Sequence, residues 1–274
     1  MSYFRQFPTL QYDFDRNGIL QNVVDIYRGA RPLAAFADDA NAYSFYSVKN
    51  GERPDIVSQR LYGTTQYYWT FFIINDFLHD GLAGWPMSQE KLHDYMDEEF
   101  EGVAITTNPS VDETGDPGVI SSYPNSLSGR FQLGETITGA TNGATGTLVK
   151  KSADMNQLIL QNVVGIFIGN SAPGPSNATE SITGNISLDS VNTYDVYPYI
   201  DAPHNYYRTD DSDEKRLVTN DIFISGGEPA GQLSFDTNRT HIFNINEARS
   251  QIKVVDPKYI TQFAEKYEAI INNE

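Results

Sequence analysis

The stretch Tyr46–Asp76, YSVKNGERPDIVSQRLYGTTQYYWTFFIIND, decides the fold of this chain, and the other residues arrange around it. Tyr46 to Val48 alternates as a short strand, and Asn50-Gly51 is a turn pair that tolerates positive φ. A helix is expected next. Pro54 suits a first helical turn, where its missing N–H costs nothing, Val57 and Leu61 repeat at i, i+4, and Gly63 supplies a left-handed stop. A second helix is expected to start at Thr65 as N-cap and to run through Tyr67, Tyr68, Trp69, Phe71, Phe72, Ile73 and Ile74 to Asn75. Apolar nearly all round, it has to be covered on several sides.

At 274 residues the chain is long enough for one large or two small domains with a real core. It contains no cysteine, which excludes disulfide scaffolds, thiolate metal sites and Cys nucleophiles, and fits assembly in a reducing cytoplasm. A formal net charge of −17 argues against binding nucleic acid or an anionic membrane, both of which call for a cationic face. The only basic clusters are the pairs Lys150-Lys151 and Lys215-Arg216. The N-terminus lacks the continuous apolar core of a signal peptide, and the run Phe71 to Ile74 is far too short to span a bilayer. Aromatics are plentiful, with 17 Tyr and 15 Phe, and Tyr is favoured at interfaces because it buries area while keeping a hydroxyl to satisfy.

Upstream, residues 1–42 have poor periodicity and carry Phe4, Phe7, Leu10, Tyr12, Phe14, Ile19, Val23, Val24, Ile26, Tyr27, Leu33 and Phe36, with a loop at Asp38-Asp39. They read either as an extended, partly stranded arm laid across a neighbour or as a strand packed on its own domain. Downstream, Ser88 can cap a helix with Leu92, Tyr95, Met96 and Phe100 on one face and Asp94, Asp97 and Glu98 on the other. Residues 101–128 shift to Asn108-Pro109, Gly115-Asp116-Pro117-Gly118 and Tyr123-Pro124-Asn125, the punctuation of a linker.

From 129 to 190 the texture is different. Phe131 to Gly139 alternates at period two, Ala140 to Gly146 is Gly-rich, and β-rich runs follow at Thr147–Val149, Leu158–Leu160 and Val163–Ile168. Glu180-Ser181-Ile182-Thr183-Gly184 repeats Glu135-Thr136-Ile137-Thr138-Gly139. Short strands between Gly turns suggest a small antiparallel barrel or sandwich, and the self-copy is too short for a solenoid. Both junctions read as loops, so its removal is expected to leave the flanking domain folded. The segment 191–274 is Tyr- and Pro-rich between Tyr194 and Tyr207, has a charged loop at Asp210–Arg216, a short strand at Ile222–Ile224 and a turn at Gly226-Gly227. It ends in a helix over 257–271, with Asp256 as cap, Pro257 at the first helical position and a stripe of Ile260, Phe263, Tyr267 and Ile270.

The order strand, turn, helix, Tyr-Gly, helix, Asn is similar to the LysM module, with Tyr46, Val48, Gly51, Glu52, Ile56, Tyr62, Gly63 and Asn75 in its places. The chain departs from LysM where Gln66-Tyr67-Tyr68-Trp69 replaces a short polar linker. The longer string of Tyr62-Gly63, Tyr68-Trp69, Asn75-Asp76, Gly84-Trp85 and Ser88-Gln89-Glu90 resembles the baseplate wedge protein family of contractile-tailed, T4-like phages, the LysM-like subunit that joins adjacent wedges. The run Asn246-Glu247-Ala248-Arg249-Ser250-Gln251-Ile252-Lys253 and the closing helix carry the same resemblance. Phe131, Gly134, Glu135, Ile137, Thr138 and Gly139 resemble a module that recurs in phage structural proteins, inserted relative to shorter members of the wedge family.

The expected fold is α+β: a LysM-like strand-helix-helix-strand unit over 43–100, which the resemblance implies, with an extended N-terminal arm over 1–42, an inserted small antiparallel β-barrel or sandwich that the resemblance does not cover, and a C-terminal helix. It implies a structural subunit of the virion tail baseplate, assembled in the host cytoplasm in a six-fold ring. That subunit would clamp the wedge core and link neighbouring wedges around the hub. Its partners would be other wedge subunits and the sheath-initiator and hub region, with no nucleic acid, membrane or cofactor. Tyr67, Tyr68, Trp69 and Trp85 are the candidate partner-binding residues, aromatics that dominate interfaces when desolvated, although each suits a core better than a contact. The alternative is a peptidoglycan- or chitooligosaccharide-binding LysM module.

No catalytic or metal site is expected. His79, His93, His204 and His241 lack metal-ligand spacing, and neither a nucleophile elbow nor a phosphate loop is present. Asp210-Asp211-Ser212-Asp213-Glu214 lacks the central Gly and distal Glu of a calcium loop and reads as a solvated charge run. Asp97, Glu98 and Glu99 fall on the exposed face of a helix, where acids are ordinary, so a glycosidase pair is not indicated.

Overall fold

The computed structural model describes residues 7–25, 42–78, 80–107, 127, 130–152, 155–170, 179–209, 215–218 and 233–273. The loop at Asp38-Asp39, His79, residues 108–126 of the expected linker, the run Asp210–Glu214, the strand Ile222–Ile224 and the turn Gly226-Gly227 lie outside the described residues. The chain is mixed helix and strand, as expected for an α+β fold. In order come β1 (Thr9–Tyr12), β2 (Gln21–Val24), β3 (Tyr43–Ser47), α1 (Pro54–Tyr62), α2 (Trp69–Ile74), α3 (Gln89–Glu99), β4 (Val103–Thr107), β5 (Thr136–Gly139) and β6 (Thr145–Ser152). Then follow β7 (Gln157–Val164), β8 (Ser181–Gly184), β9 (Ser190–Pro198), β10 (Pro203–Thr209), β11 (Lys215–Val218), β12 (Leu233–Thr237), α4 (Asn238–Ser250), β13 (Gln251–Val255) and α5 (Ile260–Asn273). They divide into two compact units, Met1–Leu92 with Ile245–Glu274, and His93–Asn244.

In the first unit β3 pairs antiparallel with β13, from Tyr43 opposite Val255 to Ser47 opposite Gln251. The strand that completes the β-α-α-β order therefore comes from the far end of the chain, outside the expected bounds of 43–100. The other edge of β13 is satisfied by a side chain. Asn75 accepts the Lys253 amide at 2.8 Å, donates to the Lys253 carbonyl at 2.9 Å, and also donates to Phe71 O at 2.8 Å, so it ends α2 and holds the strand together.

The expected second helix is broken in two. Thr65–Tyr67 form a single 3₁₀ turn and the α-helix begins only at Trp69. Side chains take the amides that a continuous helix would use: Thr64 Oγ1 accepts Gln66 N at 3.3 Å and Ser58 Oγ accepts Tyr67 N at 3.2 Å. Around α2 two apolar clusters meet. One packs Trp69 against Val255, Ile260, Phe263, Tyr267 and Ile271, and the other packs Phe71 against Val57, Leu78, Trp85, Ile252 and Val254. The stripe of α5 differs by one position from expectation, with Ile271 buried where Ile270 was expected.

In the second unit six strands close a barrel in the order β4-β7-β6-β5-β8-β9, and every neighbouring pair is antiparallel. Its core holds Ile105, Phe131, Ile137, Leu148, Leu158, Leu160, Phe167 and Ile182. The strands that close it, β4 and β9, lie in residues expected as linker and as the start of the C-terminal segment, so the barrel reaches beyond 129–190. Beside it, β10 pairs with β11 and β12 in a three-stranded antiparallel sheet.

The two copies of the Glu-x-Ile-Thr-Gly motif are neighbours. β5 and β8 pair with Thr138 opposite Thr183, Ile137 opposite Gly184 and Gly139 opposite Ile182, which relates the copies by a local two-fold axis through the threonine pair. Each glutamate is buried against the other copy's glycine. A Cβ on Gly184 would lie 2.5 Å from Glu135 Oε2, and one on Gly139 2.7 Å from Glu180 Oε2, so a side chain at either place would push the buried carboxylate out of its position.

Candidate functional site

The four aromatics expected to meet a partner are divided between core and surface. Trp69 is 6% exposed, with its ring centroid 5.1 Å from that of Tyr267, and Trp85 is 8% exposed, with Nε1 donating to Glu52 O at 2.7 Å. Both are core residues of the first unit. Tyr67 is half-buried and edge-on to Tyr62, centroids 5.8 Å apart, while Tyr68 is half-buried and edge-on to Phe72.

Tyr68 and one side of Trp85 also line an open groove of ≈ 810 Å³. One wall is Gly51 to Asp55, from the turn after β3 into the first turn of α1, and the other is Leu82, Ala83 and Pro86 to Ser88 with Lys91. Local bonds fix both walls. Glu52 accepts the Tyr46 hydroxyl at 2.9 Å and the Lys49 amide at 3.1 Å, and pairs with Arg60. Asn50 Oδ1 accepts Gln89 N at 2.8 Å, and Asn246 bonds both the amide and the carbonyl of Met87. Behind the groove Tyr62 donates to Val255 O at 3.0 Å, and burial pushes its phenol well above the ordinary value.

A second surface of the first unit is the hairpin β1–β2, in which Leu10 faces Val23 and Tyr12 faces Gln21. Phe7, 6% exposed, anchors its base in the Trp69 cluster. Beyond that anchor Leu10, Tyr12, Phe14, Ile19 and Leu20 are 52 to 64% exposed. A two-stranded hairpin with an uncovered apolar face is marginal by itself in water. Phe45 on β3 is also exposed, at 79%. Sequence reasoning named the arm but not these residues as a surface, because alternation marks an apolar face without saying what covers it.

No group of three or more His, Asp or Glu that could hold a metal occurs among the described residues. Asp97, Glu98 and Glu99 are exposed along α3. His204 and His241 stack with centroids 3.6 Å apart, and His204 Nδ1 lies 3.0 Å from Asn238 Oδ1. Burial, and then the neighbouring His204, hold the His241 imidazole below its ordinary value, with Asp236 opposing them. His93 is edge-on to Phe243. No helix among the described residues is long and apolar enough to cross a membrane.

Residues 4–116 match a family model described as base plate wedge protein 53. A search of the curated proteins finds no match. The matched segment contains the hairpin, β3, α1, α2, α3 and every residue that lines the groove, whereas β5 to β12 and the C-terminal run Asn246–Lys253 lie beyond it. The matched family is by its description one of structural baseplate proteins. Over residues 4–116 the chain is thus similar to a phage baseplate wedge protein.

Proposed function

We propose that this chain is a non-enzymatic subunit that clamps the core of a baseplate wedge and links it to the neighbouring wedge around the hub, in a six-fold ring assembled in the host cytoplasm. The observation that carries the reading is the β1–β2 hairpin: an apolar face, uncovered by the described residues, on an element of the matched segment rooted through Phe7 in the core of the first unit. Covering that face on another subunit buries area that the chain alone leaves in water, and the task needs shape complementarity with no reaction to catalyse. Tyr68, half-buried at the groove, is a second contact, whereas Trp69 and Trp85 hold the scaffold that presents it.

The test is the double variant Leu10→Ser, Tyr12→Ser. Both side chains are more than half exposed, so thermal unfolding is expected to shift by no more than about 0.5 kcal/mol. Wedges carrying the variant are expected to form singly and to fail to join in sedimentation. Rings that close as with the wild-type chain contradict the reading.

A second reading is favoured by one observation. The groove walled by the β3–α1 turn and the loop after α2, with Tyr68 and Trp85 on its floor, suits a saccharide in a LysM-like β-α-α-β unit. Calorimetry with a chitooligosaccharide separates the two: measurable binding favours the sugar reading, and silence favours assembly.

A further inference from the structure

Each of the two small sheets of the first unit has its hydrogen bonds fixed in phase, and the phase leaves edges open. In the β3–β13 pair, Val48 N donates to Ser250 O at 2.8 Å and Asp256 N donates to Ala42 O at 2.9 Å, so the even-numbered residues of β3 bond to β13. Lys253, opposite Phe45, turns its amide and carbonyl the other way, to Asn75. Tyr43, Phe45 and Ser47 therefore turn theirs away from β13, and among the described residues no strand pairs with that side of β3. One edge of the sheet is covered by the Asn75 side chain. The other is bare, with Phe45 79% exposed at its middle and neither Pro nor a charged residue to blunt it.

The β1–β2 hairpin is bare on both edges among the described residues. Asp25 N donates to Pro8 O at 2.9 Å, which makes Leu10 and Val23 the next bonded pair and turns Thr9 and Gln11 of β1, and Asn22 and Val24 of β2, outward. A row of alternating donors and acceptors is matched by another extended strand, and not by a sugar, a lipid or a nucleic acid. The two phases also agree in their faces. Joined edge to edge, outward residues meet outward residues, so Leu10, Tyr12 and Val23 fall on the face of Tyr46, where Ile252 and Val254 are buried with Val57 and Phe71. Of the two hairpin edges β2 fits better. With Val24, 37% exposed, opposite Phe45, Asn22 stands opposite Ser47, apolar to apolar and polar to polar, whereas β1 offers only Thr9 and Gln11.

We propose that β2 of one copy adds antiparallel to the open edge of β3 in the next copy of this chain, joining two two-stranded sheets into one. Within one copy these edges are not paired, and the hairpin is rooted through Phe7 in the Trp69 cluster. Between copies the contact is head to tail, the kind that closes a ring. A two-stranded sheet is marginal alone, and a wider sheet with one apolar face is not. The net charge of −17 sets copies against one another, but at this edge the repulsion gives way to attraction. β3 carries no charge, Lys253 lies opposite Phe45, Lys49 follows the strand, and Glu52 in the turn beyond is paired with Arg60. The hairpin brings Asp13, Asp15 and Asp25 against the single cation Arg16. The partner is the neighbour that the assembly reading above requires, so the contact rests on that reading.

The chain has no cysteine, so introduced thiols report on this contact alone. A bonded antiparallel pair holds its Cα atoms about 5.5 Å apart, within the span of a disulfide. Rings are assembled from purified wedges and the full chain carrying Val24→Cys and Phe45→Cys, oxidised, and run on a denaturing non-reducing gel probed for this chain. A ladder of covalent multiples is expected, absent from Phe45→Cys alone and from Thr9→Cys with Phe45→Cys. The second opposed pair, Asn22→Cys with Ser47→Cys, carries the same expectation and serves if the first variant unfolds. Rings that sediment normally but yield only uncrosslinked monomer overturn the contact and leave the assembly reading standing. A fast-migrating monomer places the link within one chain, a dimer from Phe45→Cys alone pairs β3 with itself, and a ladder from the Thr9 variant pairs it with β1; each overturns the contact proposed. Failure of the wild-type chain to close rings overturns the assembly reading together with it.

Discussion

Glu135 is fully buried and collects the amides of Gln132, Ile186 and Ser187 together with the Ser187 hydroxyl. Burial works to raise its carboxyl, but those hydrogen bonds outweigh it and the net shift is downward. A carboxylate held below its ordinary value adds stability that is present above the ordinary range, near 4.5, and is lost as pH falls through the lowered value. Glu135→Gln places an amide NH₂ against backbone donors. It is expected to destabilise the barrel by about 1–3 kcal/mol in urea unfolding, and to flatten its acid dependence below about pH 4.5. His241 works in the opposite part of the pH scale. Its folded value is lowered, so the unfolded chain takes up the proton first and stability falls as pH drops below about 6.5. The stacked pair meets Asp236 and Asn238. Melting temperature followed from pH 8 to 5 is expected to decline for wild type and to decline less for His241→Gln. At this scale the sequence was readable for residue type and not for role. Trp69 and Trp85 were legible as large apolar anchors, but which of the four aromatics stayed at the surface depended on α5 and β13, distant in the chain.

Among the elements, the stretch Tyr46–Asp76 announced a strand and two helices because its signals are local: a turn pair, Pro54 in the first turn of α1, and Gly63 after it. What it hid was nonlocal. The partner of β3 is β13, some two hundred residues away, and the break of the second helix at Tyr68 depends on Ser58 and Thr64 offering side-chain oxygens to amides. The β module was legible from alternation and Gly turns, and its self-copy pointed to the strands that meet at the two-fold. Its edges were not. β4 is a short run, Val-Ala-Ile-Thr-Thr, next to a stretch with linker composition, and β9 runs into the Tyr-rich segment, so neither stood out as part of a closed sheet. This changes one expectation about removal. Deleting 129–190 takes away β5 to β8 and leaves β4 and β9 without their barrel neighbours, exposing Ile105 and Val196, which are 0% and 8% exposed in the intact chain. That deletion is expected to bind a hydrophobic dye and to aggregate. A soluble, cooperatively unfolding product would show that the strands of the barrel are dispensable to one another.

For the whole molecule, composition excluded more than it identified. The charge of −17 and the absence of cysteine removed polyanion-binding and thiol chemistry, and the scattered histidines removed obvious metal spacing, all without a structure. The likeness to a baseplate wedge protein came from a pattern of residues within 4–116, because burial alone looks the same in a core and in an interface seen from one side. The hairpin shows why the candidate surface was only half legible: its apolar residues were visible in sequence, but their exposure was not, since another part of the chain could have covered them. The central claim, that this subunit joins wedges, is tested most directly by sedimentation of purified wedges with and without it. Six-wedge rings are predicted only in its presence, with single wedges left when it is omitted. Rings that close equally well without the chain would contradict the account.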